Sequence, residues 1–282
     1  MHLNEELLKR SAAVMRARNR KPIKDVGGMV SVLIPCCKWD KEYLKRTIDS
    51  VKDAAGGEIE ILSLFDKHEE GHRVLTNRMA NKAKGKYLFR LDAHCAMSPE
   101  WDLRMKESCK ENSVIVPMLD VLDTKTWGFS GKKNGIVVLT PSFRNRTILH
   151  WKDSRDRNIE EPTMSIIGCA YMIQRDTFLK YGSLNEDYGK WGAGGLEVSL
   201  KTWLTGGDVI IRTDVECAHL FRPDNYTPFK INKAIMDKAY LDIGKMWASG
   251  NGPDQKRPLS WLVNMFKEYI PELNHKENVK KI

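Results

Sequence analysis

The sequence lacks several features that would place it at once. No stretch approaches the ~20 consecutive apolar residues of a membrane-spanning helix. The first residues, MHLNEELLKRSAAVMRARNRK, are basic and amphipathic, without the apolar core or small-residue cleavage site of a secretory signal. The six cysteines (Cys36, Cys37, Cys95, Cys109, Cys169, Cys217) form no C-x-x-C pair and no zinc-type spacing. With no secretory signal, the expectation is reduced thiols and a cytoplasmic location, in a host cytoplasm if the chain is phage-encoded. No internal repeat or low-complexity tract is evident, and the composition rules out a collagen-like fibre. With 41% hydrophobic and 29% charged residues, the 282-residue chain is also not disordered.

What the sequence does have is positive charge and an ordered alternation of elements. Lys+Arg number 46 against 37 Asp+Glu, a formal net charge of +9, which invites an anionic partner without choosing one. VSVLIP from Val30 is a β-branched run suited to a buried strand, and DKEYLKRTIDSVKDA has apolar residues at helical spacing before Gly56-Gly57. IEILSLFD, HRVLTNRMANKAKG and KYLFRLDAHC continue as strand, helix and strand. This β-α-β-α-β order predicts an α/β fold with a mostly parallel sheet and helices on both faces. Ligands of such sheets bind beyond the carboxyl ends of the strands, where Pro35, Asp66 and the Asp92–His94 cluster fall.

Further along, SVIVPMLDVLD and GIVVLTP read as strands, and MSIIGCAYMIQRDTFLKYG as a strand leading into a helix. LEVSLKTWLTGG reads as a helix stopped by paired glycines, and DVIIRTDVECAHLFR as a strand pair. The predicted organisation is a basic helical extension over 1–28, a catalytic domain over 29–230 and a helical segment over 231–282. Those last helices could pack on the domain or form an acceptor platform.

Three clusters could carry chemistry. On a strand, residues i and i+2 face the same side. Asp92 and His94 then present a carboxylate and an imidazole to one point, a pair better suited to Mn²⁺ than to calcium. Read alone, the pair fits equally a loop-capping Asp beside a packed His. Trp191-Gly192-Ala193-Gly194-Gly195-Leu196-Glu197 allows close backbone approach to a ligand and puts Glu197 in the first turn of a helix, though a plain loop with a helix cap has the same look. His219-Leu220-Phe221-Arg222 offers a third metal ligand followed by a phosphate-binding guanidinium, or a structural His and Arg at a strand end.

In this order, from about Val30 to Asp242, the blocks VSVLIP, LDAHC, VIVPMLDVLD, WGAGGLEVSLKTWLTGG and HLFR resemble the polypeptide N-acetylgalactosaminyltransferases. These are metal-dependent glycosyltransferases of the GT-A fold that transfer with retention. The resemblance implies Mn²⁺ (or Mg²⁺) held by Asp92, His94 and His219 against a UDP-sugar. It implies diphosphate contacts from Arg222 and Tyr226, a uridine contact from Asp66 and approach of Gly168 to the sugar. Trp191 would wall the leaving group, and Asp92, Trp191, Glu197 and Arg222 form the implied catalytic set.

Departures are equally specific. The family's W-G-G-E-N-x-E has Gly194 here in place of its first Glu. Its A-G-G reads Ile167-Gly168-Cys169, so the donor sugar does not carry over, and Asn225 replaces a His that follows H-x-x-R. The acceptor divides two ways. Residues 1–25 hold seven Lys/Arg against three Asp/Glu, and residues 230–258 hold six against three. Those flanks suggest double-stranded DNA with hydroxymethylated bases, as in phage-type enzymes. The alternative is a protein, peptide or glycan hydroxyl. A non-catalytic sugar-nucleotide-binding module is the third reading. The tail aromatics Tyr240, Trp247, Trp261 and Phe266 read as helix-packing core rather than base-stacking platforms.

Overall fold

A computed structural model describes residues 22–131, 135–139, 146–148, 158–221 and 232–270. The expected basic helix within residues 1–21 lies outside these, as do Arg222 and Tyr226. The first half follows the expected alternation. β1 (Val30–Cys36) leads through a 3-10 turn (Lys38–Asp40) into α1 (Lys41–Ala54), then β2 (Ile59–Phe65), α2 (His72–Lys82) and β3 (Tyr87–Leu91). β4 (Cys95–Met97), α3 (Trp101–Ser108), β5 (Ser113–Asp123), β6 (Gly128–Phe129), β7 (Val137–Leu139), β8 (Arg146–Ile148) and β9 (Glu160–Pro162) follow. The chain continues with β10 (Ala170–Gln174), α4 (Arg175–Lys180), α5 (Gly194–Leu204), β11 (Asp208–His219), α6 (Lys233–Ala248) and α7 (Leu259–Met265).

The main sheet runs β2-β1-β3-β10-β5-β11-β4, with β6 added to β5 and β9 to β11. β1 pairs in parallel with β2 and β3, and β5 with β11. The sheet is nonetheless mixed rather than mostly parallel, because β10 sits antiparallel between β3 and β5, and β4 and β9 are antiparallel to β11. The reason is local. The peptide N–H of Asp92 bonds the carbonyl of Cys169 at 2.8 Å, so β10 starts at the end of the sheet where β3 stops and must run back. The predicted strand pair near the end of the domain is instead one long strand, β11, whose register against β5 shifts between Arg212 and Glu216. Such a bulge bends a strand without ending it.

Every residue of β1 is buried, as a central strand covered on both faces requires. Val30, Val32 and Ile34 join Val51 of α1 and Trp101 and Met105 of α3 in one core layer. Leu33 joins the other layer with Leu75 and Met79 of α2 and Leu196, Leu200 and Trp203 of α5. Helices thus cover both faces. The same second layer contains Tyr240, Ile243 and Trp247 of α6 and Leu259, Leu262 and Phe266 of the last segment. The C-terminal helices are part of the main core rather than a separate platform, and Tyr240, Trp247 and Phe266 are packed as expected. Trp261 stays partly exposed, with the Arg257 guanidinium 4.4 Å from its ring centre. Among the described residues no helix is long and apolar enough to cross a membrane.

Candidate metal centre and sugar-nucleotide site

Asp92 and His94 lie in the bend between β3 and β4 rather than on a strand, so the turn, not strand alternation, brings them together. His219 reaches them through sheet pairing. It is the last residue of β11 and pairs with Cys95, and the next peptide N–H, of Leu220, bonds the carbonyl of His94 at 3.1 Å. Side-chain ligand atoms of Asp92, His94 and His219 then lie within 4.8 Å of one another. The two Nε2 atoms are 3.1 Å apart, and Asp92 Oδ2 is 3.2 Å from His219 Nε2 and 3.9 Å from His94 Nε2. Both imidazoles are buried and the carboxylate is about one quarter exposed.

Two further residues hold this trio. Arg90, buried on β3, directs Nη1 to Asp92 Oδ1 at 2.6 Å and to the Gly168 carbonyl at 2.6 Å. Burial opposes ionisation of Asp92, but Arg90 first and then His219 and His94 outweigh it and hold the carboxyl well below the usual range. Oδ2 is left to face the histidines. Asp40, buried in the 3-10 turn after β1, places Oδ1 2.9 Å from His94 Nδ1. An ionised carboxylate only accepts, so this contact favours a proton on Nδ1 and leaves Nε2 facing the centre. Burial holds His219 below the ordinary histidine range, which also favours the neutral, ligating form.

Two imidazole nitrogens and one carboxylate oxygen suit a first-row divalent cation. Adjacent ligands of an ion with bonds of ~2.0–2.2 Å stand about 3 Å apart, so the 3.1 and 3.2 Å spacings fit one. The residues present therefore fit the metal that the resemblance implies.

The remaining predicted residues fall around this centre with different roles. Gly168 has φ +93°, and a Cβ there would press within 3.3 Å of the Gly195 nitrogen. Its carbonyl is tied through Arg90 to Asp92, so the segment expected beside the sugar is fixed to the Asp92 carboxylate. Trp191 is 43% exposed on the loop before α5. Asp66, at the end of β2, accepts the N–H groups of Glu70 and Gly71 at 2.8 and 2.9 Å and so shapes the entry to α2.

Glu197 does sit in the first turn of α5, but its carboxylate is buried and committed. It is ion-paired with buried Arg73, and Oε1 accepts from Lys201 Nζ at 2.7 Å and the Asn185 N–H at 2.8 Å. Arg73 also donates to the Gly192 carbonyl at 2.8 Å. This network anchors the loop carrying Trp191 and gives both Glu197 oxygens a partner within the protein.

Three residues escaped the sequence reading: Asp40, Arg90 and His72. A Cβ on Gly194, where the resembled family has Glu, would come within 3.1 Å of His72 Cε1, so the imidazole stands where that side chain would begin. Its buried Nδ1 has no hydrogen-bond partner among the described residues, and burial, Arg90 and Arg73 push its pKa down to about 3. The only signal was position, since Asp40 and Arg90 flank strand ends at which the fold class places ligands.

No protein-family model matches the chain. It is similar to polypeptide N-acetylgalactosaminyltransferase 5 of Caenorhabditis elegans, with 24% identity over 220 residues, 74% of this chain and 34% of that protein. To the human polypeptide N-acetylgalactosaminyltransferase 13 it is 26% identical over 227 residues, 74% of this chain and 39% of that one. The chain thus spans little more than a third of the length of these curated relatives. The crystal structure of GalNAc-T7 with UDP, GalNAc and Mn²⁺ matches at a TM-score of 0.63 and 19% identity, over 79% of this chain and 50% of that one. The fold is therefore the GT-A fold, and over about three quarters of its length the chain is similar in sequence to polypeptide N-acetylgalactosaminyltransferases.

Proposed function

We propose that the chain is a metal-dependent glycosyltransferase that moves a sugar from a UDP-sugar to a hydroxyl of a protein or peptide, with retention at the anomeric carbon. The observation that carries this reading is the convergence of Asp92, His94 and His219 at the carboxyl end of β3, in a fold whose solved example holds UDP, GalNAc and Mn²⁺.

Cleaving the sugar–diphosphate bond develops negative charge on the leaving group, and a divalent cation held by Asp92, His94 and His219 supplies positive charge there. The chain's own contribution is rigidity around that point. Arg90 fixes Asp92 and the Gly168 carbonyl together, Asp40 orients His94, and the Arg73–Glu197 pair anchors the Trp191 loop. By the resemblance, Arg222 and Tyr226 complete the diphosphate site and Asp66 the uridine site. Ile167-Gly168-Cys169 and Gly194 depart from the family at the sugar, so the donor need not be N-acetylgalactosamine.

The relatives favour a protein or peptide acceptor over DNA. Some of the basic residues that suggested DNA have partners within the chain. Those of residues 1–21 lie outside the described residues. In the tail, Lys233 pairs with Asp237, Lys238 pairs with Asp242, and Arg257 donates to the carbonyls of Trp203, Gly206 and Gly207. The test is a panel of UDP-sugars incubated with Mn²⁺, Ser/Thr peptides and hydroxymethylated DNA, read by mass spectrometry. A hexose or N-acetylhexosamine mass added to peptide is expected. Sugar on DNA alone would overturn the acceptor, and no transfer to any hydroxyl would overturn the function.

A further inference from the structure

The geometry points to Asp40 as a positioning residue of the metal centre, one that fixes His94 as a ligand and restores the negative charge that Arg90 removes. This rests on reading Asp92, His94 and His219 as metal ligands.

The first argument is orientation. An imidazole can present either nitrogen, and the one that binds metal is chosen by the hydrogen bond of the other. His94 Nδ1 lies 2.9 Å from Asp40 Oδ1, and its Nε2 is directed at His219 Nε2 and Asp92. The second oxygen of Asp40 is also committed, since Oδ2 accepts from the Cys37 thiol at 2.9 Å and lies 3.4 Å from the Cys37 N–H. Those bonds pin the carboxylate in the turn after β1, so the His94 ring is held from a rigid strand end rather than from a free side chain.

Charge supplies the second argument. Asp92 is the one anionic ligand of the trio, and Arg90 stands 2.6 Å from its Oδ1. A buried guanidinium beside a cation site opposes the cation, because unit charges a few ångströms apart interact strongly away from water. Asp92 and Arg90 together sum to zero. Asp40 is a buried carboxylate next to the ligand on the opposite side, and it returns the immediate surroundings to a net −1. Neither Asp40 nor Arg90 belongs to the D-x-H or H-x-x-R pattern. Within this site they form a compensating pair.

The test measures Mn²⁺ binding by the full chain, without any sugar nucleotide, using electron paramagnetic resonance to count free Mn²⁺. Asp40→Ala removes both the acceptor and the charge, and weakens Mn²⁺ about 10–100-fold, the usual effect of losing a partner of a ligating histidine. Asp40→Asn keeps an amide oxygen for Nδ1–H but not the charge, and weakens Mn²⁺ by less than Asp40→Ala. Cys37→Ala removes the thiol bond but keeps the Cys37 N–H contact and the Asp40–His94 bond, and weakens Mn²⁺ by much less than Asp40→Ala. Thermal unfolding of each variant verifies that it is folded, and Asp40→Asn serves if Asp40→Ala is not. The proposal is overturned if a folded Asp40 variant binds Mn²⁺ within twofold of the unaltered chain. It is overturned equally if Cys37→Ala weakens binding as much as Asp40→Ala, since the turn and not the carboxylate would then matter. His219→Ala separates the two levels. Loss of Mn²⁺ there with no effect at Asp40 rejects only this inference, whereas no Mn²⁺ binding by the unaltered chain rejects the metal centre itself.

Discussion

His94 Nε2 and His219 Nε2 face each other at 3.1 Å across a sequence separation of 125 residues. No covalent neighbour enforces this contact. It follows from the pairing of β4 with β11, which sets His219 opposite Cys95. One ring can donate N–H to the other there, and with Asp92 Oδ2 3.2 Å from His219 Nε2 the same three atoms are spaced as ligands of a divalent cation.

His94→Ala and His219→Ala should each lower Mn²⁺-dependent release of UDP from a UDP-sugar at least about a hundredfold, since each removes one of three ligands from a charge-stabilising ion. Circular dichroism should show both variants folded.

The Arg73–Glu197 pair makes a prediction of another kind. Glu197→Leu strands a buried guanidinium and should lower stability by about 3–5 kcal/mol in urea unfolding. Adding Arg73→Met should recover part of that loss, which a purely catalytic Glu197 would not predict.

Stability should also depend on pH through His72. Its folded pKa is about 3 against an ordinary 6.5, so the unfolded chain binds a proton that the folded chain refuses. Its stabilising contribution is fully present above about pH 6.5 and falls as pH drops towards the folded value, by up to about 1.4 kcal/mol per pH unit. His219, also held low, adds to the slope in the same direction. Asp92 has a depressed pKa, so its contribution is lost only at more acid pH, below the ordinary carboxylate value. Urea midpoints at pH 7 and pH 5 should differ less in His72→Gln than in the unaltered chain.

Gly195→Ala should damage the site without touching a ligand. Its Cβ would run into the carbonyl oxygen of Ile166, so α5 or the Ile166–Gly168 segment must move. That segment carries the carbonyl bound by Arg90. Lower thermal stability and weaker Mn²⁺ binding should appear together.

What could be read from the chain beforehand follows the range of the interactions involved. β1, α1, β2, α2 and β3 were legible because their signals are local: β-branched runs, helical spacing and glycine stops. Asp92 and His94 were legible because they are two residues apart, and His219 because it shares a short motif with Arg222. The direction of β10 was not legible, since it depends on a bond between Asp92 and Cys169 that no periodicity records. Glu197 shows the same limit. Its place in the first turn of α5 was clear, yet its burial against Arg73, 124 residues away, was not. Asp40 and Arg90 lie beside recognisable strand ends, but their partners are set by the sheet order.

The most direct test of the account is the release of UDP from a panel of UDP-sugars with a Ser/Thr peptide, measured in Mn²⁺, after EDTA, and after Mn²⁺ is restored. The account predicts release in Mn²⁺ with at least one donor, its loss in EDTA with the chain still folded, its recovery on restoring the ion, and no release by His94→Ala. Release that is unchanged by EDTA and by His94→Ala, or no release from any donor, would contradict it.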